Sequence, residues 1–405
     1  MTNIIETRVP SRGAGQKSVA GLAVAPIETV KVGFIGVGNR GQAALQRWCH
    51  IPFAKITAIC DVSRDSIEQA KHVLQDHGVH NVKVYNSFEA VCNSDVNLIY
   101  ICTDWESHYS VAHCALTHGK HVAIEVPAVL TLHDCWQLID VAEREQLHCM
   151  MLENCCYDAF ELSTLAMTKA GLFGEIVHVE GAYFHQLGKN WTDWRLTYNA
   201  HHRGDIYPTH GFGPICRVLD IHRSDWLDFL VSVDTNSFNG VAKWREMMPQ
   251  EQGGFANGDQ TSTLIRTRRG KSILLQHDVL SPRPYSRQYR IVGTKGYASK
   301  YPIHELYFDD GPCSDEACEA LLEKYLPTEI KDIRELAQRV DSNRGGISFM
   351  MDYRLAQHLH QGKPLDMDVY DLAEWCAIAE LTRISLENNS APVKIPDFTR
   401  QSHQA

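Results

Sequence analysis

The chain has 405 residues, of which 44% are hydrophobic and 22% charged, and its formal net charge is −10. Single hydrophobic cores usually divide beyond roughly 250–300 residues, so this length predicts two domains. The acidic balance and the lack of a Lys/Arg stripe argue against a nucleic-acid partner. No apolar run approaches the ~18 residues that span a bilayer, so we do not expect a membrane partner either.

Residues 1–29 are polar, rich in Gly, Ser and Ala, and lack the apolar core of a signal peptide. We interpret them as a loose N-terminal arm. The thirteen cysteines include no C-x-x-C pair, which fits a reducing compartment better than a disulfide framework. We therefore expect a cytoplasmic protein.

Residues 30–154 alternate between short apolar runs and helical stretches. Such alternation requires crossover connections and predicts a parallel sheet, so we expect an α/β Rossmann domain with a doubly wound parallel sheet. The predicted strands are Val30–Ile35, Ile56–Cys60, Val82–Tyr85, Val96–Cys102, His121–Val126 and Cys149–Leu152. The predicted helices include Gln42–Cys49, Ser66–Gln75, Ser110–Thr117 and Leu132–Glu145.

The turn after the first strand has the pattern G-x-G-x-x-G, in Gly36, Gly38 and Gly41. The first glycine permits a tight turn, the second lets the backbone approach a pyrophosphate at the helix N-terminus, and the third allows close helix–strand packing. Asp61 ends the second strand about twenty residues later, where an acid binds the adenosine ribose. This pattern predicts a dinucleotide cofactor. The carboxylate favours NAD over NADP, although Ser63 and Arg64 offer an alternative cradle for a 2′-phosphate.

Ligands of such sheets bind beyond the carboxyl ends of the strands. We therefore expect three loops at the cofactor: the glycine-rich turn, residues 103–108, and Glu125-Val126-Pro127.

The pattern changes in residues 155–405, which we predict to form the substrate domain. Four longer strands occur there without regular helical crossovers, so we expect an α+β domain with an open, largely antiparallel sheet. These strands are Ile176–His185, Thr261–Arg268, Ser272–Asp278 and Tyr289–Val292. Two late helices, Phe349–Gln361 and Val369–Leu386, are expected to pack at the domain junction, and residues 304–345 give no clear pattern.

Polar and aromatic groups suited to a sugar are concentrated between Tyr183 and His222. Tyr183 and His185 stand two apart on a strand and so share a face, and Trp191, Trp194 and Arg195 follow. The segment Tyr207–Gly211 is rich in turn-forming residues and indicates a shaped loop or a helix entrance. No H-E-x-x-H pattern supports a metal and no G-x-S-x-G pattern supports a serine nucleophile. Paired carboxylates for ordinary glycoside hydrolysis stay open, although nothing marks such a pair.

The chain resembles the glucose-fructose oxidoreductase / inositol dehydrogenase / MocA (Gfo/Idh/MocA) family. Most members carry Glu-Lys-Pro after the fifth strand with a catalytic lysine, whereas this chain has Val126 in that place. The departure is typical of the NAD-dependent α-N-acetylgalactosaminidase branch, and further matches run from about residue 27 to 398. They lie at residues 32–38, 153–157, 207–211, 281–287 and 364–371. Arg344-Gly345-Gly346 departs from the expected His-Gly-Gly.

This resemblance implies glycoside hydrolysis through a redox-neutral cycle: oxidation at sugar C3, elimination of the aglycone after loss of the C2 proton, hydration, and reduction. The implied NAD contacts outside the glycines are Asn39, Arg40, Asp61, Trp105, His108, Glu125, Val126 and Asn154. The implied substrate contacts are Tyr183, Arg195, Tyr207, Pro208, Thr209, His210 and Tyr285. Among these we assign His210 to the C3 hydroxyl, Tyr183 to the C2 proton and Tyr207 to substrate orientation.

Two other function classes stay open on the sequence. One is an NAD-dependent sugar or cyclitol dehydrogenase with net redox, against which the missing lysine at Val126 argues. The other is a non-catalytic NAD(H)-binding protein, which would not need Tyr207 and His210. We expect a small carbohydrate as the substrate, and a homo-oligomer is open because an exposed sheet often pairs with a second copy.

Overall fold

The computed structural model describes residues 4–251 and 253–401. Its first domain is a six-stranded parallel sheet with helices on both faces. The strands are β1 (Val30–Ile35), β2 (Ala54–Cys60), β3 (Lys83–Tyr85), β4 (Leu98–Ile101), β5 (His121–Ile124) and β6 (Cys149–Met151). The helices are α1 (Asn39–Trp48), α2 (Arg64–Asp76), α3 (Phe88–Cys92), α4 (Trp105–Thr117) and α5 (Leu132–Glu145).

The strand order of this sheet is β3-β2-β1-β4-β5-β6. Strands β4, β5 and β6 are buried at every position, because helices cover both faces of a parallel sheet. Successive strands are added outward on one side from β1 to β3 and on the other side from β4 to β6, which opens a crevice at the carboxyl ends of β1 and β4. The predicted doubly wound domain is confirmed.

Side chains that end each strand-to-helix connection set where the helices begin. Ser63, Asp104 and Thr131 accept hydrogen bonds from the first turns of α2, α4 and α5. Because Asp104 caps α4, this helix begins at Trp105 rather than at the predicted Ser110. Trp105 and His108 therefore project from a helical turn, and the expectation that residues 103–108 form a loop was wrong.

The second sheet has nine strands. Its order is β14-β13-β12-β11-β7-β10-β9-β8-β15, with β7 and β10 parallel and the other pairs antiparallel. The strands are β7 (Ile176–Phe184), β8 (Leu227–Asp234), β9 (Thr261–Thr267), β10 (Ser272–Asp278), β11 (Arg290–Gly293), β12 (Gly296–Ser299), β13 (Glu305–Phe308), β14 (Gly311–Pro312) and β15 (Val393–Lys394). The predicted open, largely antiparallel sheet is confirmed.

Eight further helices belong to the second half of the described chain. They are α6 (Ala159–Lys169), α7 (Asp193–His201), α8 (Thr209–Leu219), α9 (Asn239–Met247), α10 (Asp315–Tyr325), α11 (Thr328–Val340), α12 (Ile347–Gln361) and α13 (Val369–Glu387). Residues 304–345, which the sequence left unassigned, thus contain two short strands and two helices.

Helix α13 lies against both sheets, and α12 packs against the first domain. Cys376 of α13 places its sulfur 3.6 Å from the sulfur of Met151 in β6, and Ser385 accepts a hydrogen bond from Ser232 of β8. Asp352 of α12 pairs with Arg47 of α1 at 2.7 Å. Most of the residues of α13 are buried, as expected for a helix packed between layers.

The segment from residue 4 to 29 contains no helix, but it is anchored at several points. Ile5 forms a bridge with Val393, Arg12 pairs with the buried Glu143 at 3.0 Å, and the Val19 amide donates to Tyr370 Oη. These contacts differ from the loose arm that we expected. The difference arises because partners in α5 and α13 satisfy groups that look solvent-exposed in the sequence.

None of the described helices combines the length and apolar character needed to cross a bilayer.

Candidate active site

A cavity of about 900 Å³ lies between the two sheets, at the carboxyl ends of β1, β4 and β5. Residues from both domains line it, and most of the predicted site residues are among them. These are Gly38, Asn39, Arg40, Trp105, His108, Glu125, Val126, Asn154, Tyr183, Arg195, Tyr207 and His210.

The glycine-rich turn forms one wall of this cavity. Gly36 has a φ of +84°, and a β-carbon there would lie 2.5 Å from the backbone of Cys102. A β-carbon on Gly41 would lie 2.2 Å from the Gly36 oxygen, so both glycines are required for packing beneath the cavity. Around Gly38, in contrast, no atom lies within 4 Å of a β-carbon position. No side chain caps α1, so its N-terminal amides face this open cradle and suit a pyrophosphate.

Asp61 lies at the end of β2, beside the glycine-rich turn. Its Oδ2 accepts a hydrogen bond from the Val37 amide at 2.7 Å, and its Oδ1 accepts one from the Ser63 amide at 2.8 Å. The carboxylate thus stabilises the conformation of the turn. It also lies where an acceptor for the ribose hydroxyls is expected. Only the second of these roles was predicted from the sequence.

Two polar contacts brace the floor of the cofactor half. Arg40 donates from Nε and Nη2 to the two oxygens of Glu125, at 3.1 and 3.2 Å. His108 is buried between the carbonyls of Pro127 and Thr103, at 2.8 and 3.1 Å. Val126 occupies the place of the family lysine and is 6% exposed. The floor therefore offers an apolar side chain where most relatives place an amine.

Aromatic rings join the two domains on one side of the cavity. Trp105 stacks against Tyr207 with ring centroids 5.6 Å apart. The same indole meets Trp194 and Tyr198 edge-on at 5.0 and 5.2 Å. Trp105 was predicted as a cofactor contact, but it also contacts the substrate half directly. Apolar ring faces of this kind suit the C–H face of a sugar.

Two hydrogen-bonded side-chain pairs face the cavity from the second domain. In the first, Tyr183 Oη lies 2.7 Å from His185 Nδ1. Burial raises the pKa of Tyr183, so its hydroxyl is a phenol at neutral pH. Burial, with the charges of Arg344, His210 and Arg195, lowers the pKa of His185. The neutral imidazole can therefore accept the phenol proton.

In the second pair, His210 Nδ1 donates to the carboxylate of Glu153, at 2.7 and 2.9 Å from its two oxygens. Burial alone would lower the pKa of His210, but the charges of Cys155 and Glu153 raise it to about 9. Burial alone would raise the pKa of Glu153, but His210 lowers it. With Nδ1 engaged, Nε2 is the ring nitrogen left for a ligand.

The tyrosines hold these two pairs together. The Tyr183 ring lies 5.0 Å from that of Tyr207 and 5.3 Å from that of His210. His210 stands in the first turn of α8, so the segment Tyr207–Gly211 is a helix entrance. Gly211 is required there, because a β-carbon would lie 2.6 Å from the backbone of Ala182 in β7.

Three predicted substrate residues do not line the cavity. Pro208 is the residue before α8, and Thr209 is fully buried next to it. Tyr285 lies behind His185, with ring centroids 5.3 Å apart. Whether these three residues contact the substrate stays a prediction.

The structure adds Glu153, His185 and Arg344 to the predicted set. Glu153 lies two residues after the end of β6, and an acid at the carboxyl end of a parallel strand is a signal that could have identified it. His185 was recognised as sharing a face with Tyr183, and Arg344 only as a departure from a pattern. No short-range signal marks either as lining a cavity.

Two clusters in the described residues have the spacing of metal ligands. Donor atoms of Glu153, Cys155 and His210 lie within 4.8 Å of one another, as do those of His222, Asp368 and Asp371. In the first, Glu153 already bonds His210. In the second, Arg223 neutralises Asp371 at 2.8 Å. Internal ion pairs thus engage Glu153 and His210 in the first cluster and Asp371 in the second.

Comparison with known families divides the chain at the same place as the fold. Residues 30–153 match the oxidoreductase family with the NAD-binding Rossmann fold. Residues 157–405 match the family described as glycosyl hydrolase 109, C-terminal domain. The first domain is therefore an NAD-binding Rossmann domain, in agreement with the predicted cofactor.

Curated relatives cover nearly the whole chain. Glycosyl hydrolase family 109 protein 1 of Bacteroides fragilis (strain YCH46) is 48% identical, covering 98% of this chain and 91% of its own length. The glycosyl hydrolase family 109 protein of Porphyromonas gingivalis (strain ATCC BAA-308 / W83) is 47% identical, with 98% and 90% covered.

Solved structures with this fold include dehydrogenases of low sequence identity. A levoglucosan dehydrogenase in complex with NADH and levoglucosan superposes with a TM-score of 0.70 at 15% identity, covering 91% of this chain and all of the other. An NAD-binding oxidoreductase from Klebsiella pneumoniae superposes with a TM-score of 0.73 at 16% identity, covering 92% of this chain and all of its own. These similarities establish the fold.

Proposed function

The chain belongs to glycosyl hydrolase family 109, with an NAD-binding Rossmann domain, and on this premise we propose that it hydrolyses terminal α-linked N-acetylgalactosamine without net oxidation. The observation that carries the proposal is that the pairs Tyr183–His185 and His210–Glu153 face the same cavity as the NAD cradle. Two separate proton-transfer groups are what a cycle of oxidation and elimination needs.

The residues around the cradle suit NAD. Gly38 leaves the amides of α1 open to a pyrophosphate, and Asp61 stands at the end of β2 as the ribose acceptor. When bound, NAD supplies reversible hydride acceptance from sugar C3. Asn39, Arg40, Trp105, His108, Glu125, Val126 and Asn154 complete the proposed binding site.

We assign the proton of the C3 hydroxyl to His210. The Glu153 carboxylate accepts a hydrogen bond from His210 Nδ1–H and so fixes the tautomer, which leaves Nε2 to accept a proton. Glu153 also stabilises the imidazolium that forms. Because the pKa of His210 is raised and that of His185 is lowered, His210 is the stronger base of the two histidines.

We assign the C2 proton to Tyr183, acting with His185. A buried phenol is a poor base alone, because its raised pKa keeps it protonated. His185 Nδ1 can take the phenolic proton as Tyr183 accepts the proton from C2, which leaves no isolated phenolate in the cavity. Tyr207 orients the sugar through its ring, which contacts both Tyr183 and His210.

Direct displacement by two carboxylates is less well supported. Among the described cavity-lining residues, the acidic side chains are Asp104 and Glu125. Asp104 caps α4 and Glu125 pairs with Arg40, so neither is free to act as a nucleophile or an acid. A dehydrogenase with net redox is the second candidate, supported by the folds of the solved neighbours. The apolar Val126 argues against it.

We also propose that two copies pair through the open face of the second sheet. Val233, Leu264 and Tyr307 project from this face and are 50–59% exposed. Cross-strand register places Leu264 opposite Val231 and beside Val233, so these side chains of β8 and β9 form one apolar patch, whereas Tyr307 lies on β13 near the other edge of the sheet.

A panel of nitrophenyl glycosides, assayed with the enzyme as purified, tests the proposal. We expect release of nitrophenol from the α-N-acetylgalactosaminide with no lasting gain in the absorbance of reduced nicotinamide. Stoichiometric accumulation of reduced nicotinamide with a free sugar would instead identify a dehydrogenase. Binding of NAD without turnover of any glycoside would identify a non-catalytic protein.

A further inference from the structure

Arg344 lines the substrate half of the cavity, where the family pattern has a histidine. It lies in the turn between α11 and α12, with φ +49° and ψ +36°. Gly345 and Gly346 follow at φ +72° and +84°. Such a left-handed conformation is uncommon for a residue with a β-carbon. Within this turn the guanidinium carbon lies 4.6 Å from the ring centroid of Tyr285.

In the described part of the chain, no carboxylate oxygen lies within 4.0 Å of the guanidinium nitrogens of Arg344. Arg195, the other arginine in the substrate half, likewise has no acidic partner in the described residues. It donates from Nη1 to the Asn190 carbonyl at 3.0 Å, and its guanidinium carbon lies 5.1 Å from the Trp194 ring. Arg40, on the cofactor side, is by contrast paired with Glu125.

No other described residue of the substrate half neutralises the charges of Arg344 and Arg195. Asp104 and Glu125, the acidic side chains among the described lining residues, both belong to the first domain and are engaged there. Glu153 is bonded to His210. Arg344, Arg195 and His185 all line this one cavity, so the two arginines face a common region. Helix α12 begins three residues after Arg344 without a side-chain cap, which adds positive potential.

We propose that the substrate carries an oxyanion, which Arg344 and Arg195 bind together. This inference rests on the proposed glycosidase function and narrows its substrate class to glycosides bearing a carboxylate, sulfate ester or phosphate ester. The planar guanidinium presents paired donors that match such groups. Stacking on Tyr285 and Trp194 leaves donor edges of both guanidiniums available, apart from Arg195 Nη1, which donates to the Asn190 carbonyl.

The oxyanion could be attached to the sugar ring or to the aglycone, since both would lie in the same half of the cavity. The experiment therefore has two arms. One compares N-acetylgalactosamine with its 6-sulfate, and the other compares a neutral α-galactosaminide with one whose aglycone carries a carboxylate. Equilibrium binding to the full-length, NAD-saturated protein is measured by calorimetry, so that no turnover is required.

We expect the native protein to bind the anionic member of one pair at least about tenfold more tightly, and this preference to weaken as salt is added. Arg344→Gln should reduce the preference by about ten- to a hundredfold, the usual range for a charged hydrogen bond. Arg344→Lys should retain part of it. Arg339→Gln changes an exposed arginine of α11 and is the matched control, with no change expected.

Equal binding of the neutral and anionic members in both arms would overturn the inference, as would an unchanged preference in Arg344→Gln protein with normal NAD content. The outcomes also separate this inference from the proposed function. An anion preference that depends on Arg344, without hydrolysis of any glycoside, would support the anion site and refute the glycosidase. Hydrolysis of neutral glycosides with no anion preference would support the glycosidase and refute the anion site.

Discussion

Replacing His210 by alanine is expected to lower turnover by ~10²–10⁴, the usual cost of losing a positioned acid or base. His210 stands in the first turn of α8 with Nδ1 bonded to Glu153, so its Nε2 is the group available for the C3 hydroxyl. Reduced nicotinamide should not form even in a single turnover followed by stopped-flow absorbance. His80→Ala removes an exposed histidine of the first domain and should leave turnover unchanged.

The Tyr183→Phe variant provides the contrast. Tyr183 acts after oxidation in this scheme, so its loss should let the absorbance of reduced nicotinamide accumulate on the enzyme while product formation slows. Both variants should retain NAD, because neither side chain belongs to the cradle. If both keep near-native turnover, the two pairs are structural and the site assignment is wrong.

The raised pKa of His210 predicts that turnover depends on pH. A base must be neutral, and the charges of Cys155 and Glu153 raise the pKa of His210 to about 9 against the effect of burial. Turnover should therefore rise with pH toward that value. Glu153→Gln removes one of the raising charges, so the rise should move to lower pH.

Replacing Asp352 by alanine is expected to reduce the free energy of unfolding by about 3–5 kcal/mol, the typical cost of removing one partner from a buried ion pair. Asp352 is fully buried and accepts from Arg47 Nε at 2.7 Å and from Tyr100 Oη at 2.9 Å. Its loss leaves the buried Arg47 guanidinium without a compensating charge. Because Asp352 lies on α12 and Arg47 on α1, the pair also ties the two domains together.

Denaturant titration at saturating NAD measures this effect. The matched control is Asp95→Ala, which breaks the ion pair with Lys31, where the aspartate side chain is 90% exposed. Little change is expected there, because water screens exposed pairs. Equal effects of the two substitutions would show that the Arg47–Asp352 pair does not stabilise the domain junction.

The first domain could be predicted from the sequence because its signals are local. β4 is a continuous apolar run, β1 and β5 are mostly apolar, and Gly36 and Gly41 of the cofactor turn each meet a steric requirement. The second domain gives weaker signals. Strand β8 was not predicted, and its pairing with β9 is irregular between Leu227 and Phe229. Helix α13 is buried on all sides and lacks an amphipathic pattern that would show which face is inside.

The candidate site divides in the same way. Tyr183, Tyr207 and His210 were predicted because they belong to dense aromatic and polar motifs. Glu153 was missed as the partner of His210, because the two residues come from different domains and only the tertiary fold brings them to 2.7 Å. The contact between Arg344 and Tyr285 likewise depends on how α12 returns to the second sheet. Such partnerships are not encoded in the spacing of nearby residues.

Hydrolysis in D₂O tests the central claim most directly. Elimination after oxidation at C3 must break the C2–H bond, whereas displacement by carboxylates leaves it intact. The released sugar is analysed by NMR for deuterium at C2, with free N-acetylgalactosamine incubated with the enzyme as the exchange control. We predict product deuterated at C2 and no net reduction of the cofactor. Product that retains its C2 hydrogen would contradict the redox-neutral mechanism.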